Sequence, residues 1–137
     1  MRKPHILYVE DNPDDEYLVR RALEKAQVWV TLHRVGSVVA AKAYLSGASP
    51  YEDRERFPSA DMMITELSGH DVESSSVGLV EWIRSRPELR KLKVICSTGN
   101  DDPKLWEKFH AFGVRCYTKS PDMRGLIEAI QAELGTS

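Results

Sequence analysis

Two rhythms run along this chain. Short apolar, β-rich runs alternate five times with stretches whose apolar residues recur at helical spacing, a pattern that predicts βαβ units on a parallel sheet. Residues 5–9 are the first predicted strand. Asn12-Pro13-Asp14-Asp15 then reads as an N-cap, a proline in the first helical position and two acids suited to the positive helix end. The helix that follows carries Leu18, Val19, Ala22, Leu23 and Ala26 on one face. Residues 28–35 are a second strand. Ser37 caps a second helix with Val38, Ala41 and Leu45 inward and Gly47 as its stop. In the third strand, residues 61–65, Met62, Met63 and Ile64 are continuously apolar, as burial on both faces requires. A helix over about 78–86 ends at Pro87, and residues 94–97 form strand four. Asp102-Pro103 opens a helix carrying Leu105, Trp106, Phe109 and Phe112, with Gly113 as its stop; the two aromatics at helical spacing, Trp106 and Phe109, read as core. Residues 115–119 are strand five, and a last helix from about Asp122 aligns Met123, Leu126, Ile127, Ile130 and Leu134.

Five strands and five helices in this order predict an α/β fold, an open doubly wound parallel sheet of the flavodoxin-like kind. Right-handed crossovers restrict its topology severely. The functional crevice of such sheets lies beyond the carboxyl ends of the strands. That directs attention to Glu10 and Asp11, Glu66, Thr98, and the Lys119-Ser120-Pro121 corner. Two polar loops interrupt the regular alternation. Residues 48–60, with Pro50 and Pro58, are long for a connection in a compact domain and read either as a partner surface or as a solvated excursion. Residues 67–77 are rich in serine and acid.

Composition narrows the function classes. A chain of 137 residues is the size of one domain, and the reading is a single domain over 1–137 with no output domain after it. With 19 basic and 21 acidic residues the net charge is −2, so no overall field favours nucleic acid or an anionic membrane. No run approaches the roughly 18 apolar residues of a membrane span, and no signal sequence precedes the first strand. A cytoplasmic location follows as the expectation. Cys96 and Cys116 lie inside apolar strand runs and read as buried reduced thiols. His5, His33, His70 and His110 are too scattered for a metal-ligand spacing. Strand one is followed by Glu-Asp-Asn-Pro rather than a glycine-rich nucleotide loop.

Ile6-Leu7-Tyr8-Val9-Glu10-Asp11-Asn12-Pro13, Val94-Ile95-Cys96-Ser97-Thr98 and Gly113-Val114-Arg115-Cys116-Tyr117 followed by Pro121 together resemble the receiver domain of bacterial response regulators. The resemblance covers essentially the whole chain, and the long loop before strand three is similar to that of a subfamily of stand-alone receivers. It implies that two acids after strand one and an aspartate after strand three bind Mg²⁺, and that this aspartate accepts a phosphoryl group. It further implies a lysine at strand five holding the phosphoryl oxygens, a hydroxyl residue at strand four (Thr98) and an aromatic switch residue (Tyr117). A hard divalent ion wants clustered oxygens and neutralises the phosphate being transferred.

The chain departs from that pattern twice. Glu66 stands at the acceptor position, one methylene longer than aspartate and roughly 1.5 Å further in reach. In-line attack depends on placement at this scale, so the swap lowers the rate by orders of magnitude. The backbone carbonyl of Ser68, the family's metal ligand, lies in a loop with altered glycine spacing. The second departure concerns register. Counting without a gap from Tyr117 puts Ser120 in the lysine position, with Pro121 after it, and leaves Lys119 one place early on the opposite face; a one-residue deletion restores Lys119 instead. The favoured expectation is Ser120, and a cleft of Glu10, Asp11 and Glu66 that lacks its cation and retains weak Mg²⁺ or Ca²⁺ affinity.

The resemblance therefore implies a stand-alone pseudo-receiver: a non-enzymatic module signalling through contacts with a histidine kinase, a downstream effector or a second copy of itself, without aspartyl phosphorylation. No cofactor is required on this reading. The alternative is a phosphorylatable receiver using Glu66 or Asp11 as substitute acceptor with Mg²⁺. A flavodoxin-like cofactor binder is the third reading, disfavoured because carboxylate-lined strand ends repel a phosphate.

Overall fold

The computed structural model describes residues 3–65, 76–98 and 103–135. Among them β1 (His5–Val9), α1 (Pro13–Lys25), β2 (Thr31–Val35), α2 (Val38–Ser46), β3 (Met62–Thr65), α3 (Ser76–Ser85), β4 (Lys93–Thr98), α4 (Pro103–Ala111), β5 (Arg115–Thr118) and α5 (Arg124–Leu134) follow in strict alternation. All four strand pairings are parallel, in the order β2-β1-β3-β4-β5. This is the doubly wound α/β sheet that the alternation of periods predicts. The chain reverses direction across the sheet between β1 and β3, which opens a crevice at their carboxyl ends.

Strand alternation divides the core in two. Leu7, Val9, Met63, Val94 and Cys96 face α2, α3 and α4, where they meet Tyr44, Leu79, Ile83 and Phe109. Ile6, Tyr8, Met62, Ile64 and Ile95 face α1 and α5, against Val19, Leu23, Ile127 and Ile130. Cys96 and Cys116 are free thiols, both buried, directly opposite each other on β4 and β5.

Several boundaries differ from the periodicity. β2 begins at Thr31 because α1 closes with Gln27 at φ 57 and with Val28 N–H donating back to the Leu23 carbonyl, which uses residues 26–28 for the helix end. Leu18 is exposed while Val19 and Leu23 are buried, so α1 meets the sheet along a narrower stripe than five residues. α3 starts at Ser76, two residues ahead of Gly78. α5 starts at Arg124, because Asp122 accepts from the Arg124 N–H while Met123 takes a left-handed turn (φ 56) that buries its side chain.

The 48–60 connection is mostly exposed to solvent, as a surface excursion would be, but it is anchored to the core through Tyr51, Phe57 and Ala60. Arg54 donates to the carbonyls of Tyr51 (3.3 Å), Phe57 (3.1 Å) and Leu45 (3.5 Å), and its guanidinium lies 5.6 Å from the Tyr44 ring centre. Tyr44, fully buried in α2, donates its hydroxyl to the Pro58 carbonyl at 2.8 Å and meets Tyr51 at a tilt and Phe57 edge to face. At the far side Arg84 of α3 bonds the carbonyls of Phe112, Arg90 and Leu92, tying α3 to the end of α4 and the start of β4.

Candidate functional site

The carboxyl end of β1 delivers Glu10 into the crevice. The residue is 3% exposed, which for a carboxylate demands partners. Among the described residues the Asn12 N–H donates to Oε1 at 3.0 Å, the Tyr8 hydroxyl lies 3.5 Å from Oε2, and the Lys119 ammonium lies 3.6 Å from Oε2. Burial pushes the Glu10 carboxyl up from its ordinary value, against the pull of the Asn12 bond and the Lys119 charge; the neighbouring Asp11 and Asp15 push the same way as burial. Burial likewise raises the Tyr8 phenol, with Glu10 and Asp15 adding to it. Asp11, next along, is exposed.

Asn12 caps α1 as the sequence predicts, its Oδ1 accepting the Asp14 N–H at 2.9 Å. An acid at the third helical position usually turns back to the cap residue's own N–H. Here that N–H is already bonded to Glu10, and Asp15 reaches across the crevice instead. Its Oδ2 accepts from the Lys119 ammonium at 2.7 Å, over a sequence separation of 104 residues.

Lys119 corrects the favoured sequence expectation. Its backbone N–H donates to the Thr98 carbonyl at 2.7 Å, carrying the β4–β5 ladder one residue beyond the last strand position. The side chain enters the acidic cleft, whereas the Ser120 hydroxyl turns out to Asp122 at 2.9 Å. The reason is parity. Tyr117 packs on the α1–α5 side of the sheet, and Lys119, two residues on, shares that side. Glu10, two residues beyond Tyr8, stands on the same side. A lysine one place early therefore meets Glu10 and the first turn of α1.

The other expected residues are partly brought together. Thr98 ends β4 and is buried; Tyr117 is half-buried beside Ser97 of β4. Glu66 and Ser68 lie outside the described residues, as does His70; β3 ends at Thr65, immediately before Glu66. Thr65 donates its hydroxyl to Ser76 at 3.0 Å, both buried, so the end of β3 is fastened to the start of α3. His5 and His33, scattered in sequence, face each other with Nδ1 and Nε2 3.0 Å apart. Among the described residues no three metal-ligating side chains gather at one point. The cleft brings the Glu10 and Asp15 carboxylates to the Lys119 ammonium, with Asp11 exposed beside Glu10.

Sequence reasoning missed Asp15 and Tyr8. Asp15 was readable only as a charge favourable to the helix end, and Tyr8 only as a strand residue. The one available signal was that both lie within a helical turn or a strand step of Glu10.

No family model matches the chain. A curated two-component response regulator of Oryza sativa subsp. japonica, ORR13, is 27% identical over 121 residues, 88% of this chain and 89% of that one. Among solved structures, response regulator RPA3017 in red light signalling of R. palustris superposes with a TM-score of 0.82 at 20% identity, over 95% of this chain and 90% of that one. The chain has the response-regulator receiver fold. The Mn²⁺-bound form of response regulator Rcp1 is similar at a TM-score of 0.76 and 22% identity, covering 94% and 90% of the two chains. Glu10 and Asp11 follow β1, Thr98 ends β4 and Lys119 follows β5, all at the carboxyl edge of the sheet. No described helix is long and apolar enough to cross a membrane.

Proposed function

We propose that this chain is a receiver module of two-component signalling that acts by docking to other proteins and forms no aspartyl-phosphate at its third strand. The observation that carries the receiver reading is the Lys119 ammonium beside Glu10 and Asp15, a cation at the end of strand five facing the acids after strand one. Glu66 carries the second half. A glutamate at the acceptor position is one methylene longer than aspartate, roughly 1.5 Å of extra reach, on a step whose rate depends on placement at that scale. The partners on this reading are a histidine kinase or a downstream effector, met through α4, β5 and α5, with self-association through the same face as an alternative.

Rcp1 is described in a Mn²⁺-bound form. In this chain Glu10 and Asp11, joined by Glu66 and the Ser68 carbonyl, are the residues that would hold a divalent ion such as Mg²⁺. Such an ion would neutralise charge on a phosphoryl group. The chain's own contribution is different: Lys119 already compensates Glu10, so any divalent ion competes with an ammonium for that carboxylate, and affinity is weak.

Lys119 in the cleft also favours a second reading, a receiver that still accepts a phosphoryl group on Glu66 or Asp11 with Mg²⁺. Incubation with acetyl phosphate and Mg²⁺ followed by intact mass spectrometry separates the two. Wild type is expected to gain nothing and Glu66→Asp to gain one phosphoryl group. A phosphoryl group on the wild-type chain would overturn the first reading and select the second.

A further inference from the structure

The receiver's lysine is the group that meets an incoming oxyanion, and here it already meets one of the chain's own. Its ammonium stands 2.7 Å from an Asp15 oxygen and 3.6 Å from Glu10. Both members of the shorter pair are partly shielded, with Lys119 side-chain exposure at 24% and Asp15 at 23%, so water screens the pair less than a surface one. The contact joins α1 to the end of β5 across a sequence separation of 104 residues. Asp15 makes it while Glu10 accepts the Asn12 N–H at the helix cap.

We propose that Asp15 is a positioning residue for Lys119 and an internal competitor for the oxyanion that the receiver's lysine would otherwise bind. The inference rests on the receiver reading for its meaning. A carboxylate held within hydrogen-bond distance presents the same chemistry to the ammonium as a phosphoryl oxygen. An oxyanion entering the cleft must displace Asp15, and the cost of doing so is set by the first turn of α1. With Asp15 removed, the ammonium keeps Glu10 and loses the carboxylate 2.7 Å away that competes for it.

The test reads lysine chemistry in the intact, unphosphorylated chain. Each lysine's rate of acetylation by an N-hydroxysuccinimide ester is followed by peptide mass spectrometry, with and without inorganic phosphate. In wild type Lys119 is expected to react slowly and phosphate to leave its rate unchanged. In Asp15→Asn it should react several-fold faster, and phosphate should slow it. Asp15→Glu, which keeps the carboxylate, should restore the slow rate; Lys25 and Lys108 serve as controls for an intact fold. Should Asp15→Asn fail to fold, salt does the same work on the unaltered chain, because screening the pair should speed Lys119 relative to Lys25. Equal Lys119 rates in wild type and Asp15→Asn, or no selective salt effect, would overturn the proposal. That result would leave the acetyl phosphate experiment untouched, and a failure there would leave the lysine rates untouched.

Discussion

At the scale of single residues, two titratable groups, one buried and one half-buried, report the physics of this fold. Glu10 is a carboxylate under the end of a sheet, raised by burial and held ionisable by an N–H and an ammonium. His33 is the converse case. Burial first, then His5 and Arg20, hold its imidazole below the ordinary 6.5. The unfolded chain therefore takes up this proton at higher pH than the folded one. Stability from neutral His33 is complete above about 6.5 and is lost as the pH falls through the folded value. Urea unfolding from pH 7 down to about pH 5 should show stability declining, and His33→Gln should flatten that decline. An identical slope in the variant would show that other groups govern it.

Elements were legible to very different degrees. Strand and helix order, the burial of β3 on both faces and the caps at Asn12, Ser37 and Gly47 all follow from local rules that the sequence displays directly. The 48–60 connection was not legible, because its order comes from Arg54 reaching three carbonyls and from a tyrosine in the preceding helix, contacts that no local pattern announces. The same limit applied at the site. Glu10 and Asp11 were visible as acids after a strand. The position of Lys119 turned on a one-residue gap that only the sheet's parity resolves. Asp15 was concealed because its usual partner is taken by a residue read for another purpose. For the loop, Arg54→Ala should speed thermolysin cleavage between residues 48 and 60 by an order of magnitude or more, while thermal unfolding shifts by only a few degrees, since the loss is about 1–2 kcal/mol of hydrogen bonding and ring contact. Unchanged cleavage would mean that the aromatic cluster alone holds the loop.

For the molecule as a whole, the consequence is that the acids of the crevice are partly compensated by its own lysine. Glu10 and Asp15 converge from β1 and α1 on a cation delivered by β5, the far edge of the sheet, so one ion-pair network spans the strand ends that a receiver uses to sense its ligand. The expectation of a cleft without a cation gives way to one in which the cation is present and already engaged. The most direct measurement is a double-mutant cycle on Asp15→Asn and Lys119→Gln, by urea unfolding at neutral pH and low salt. The account predicts a favourable coupling of about 1 kcal/mol that shrinks with added salt. Coupling indistinguishable from zero would mean that Lys119 does not engage Asp15 in the cleft, and would contradict it.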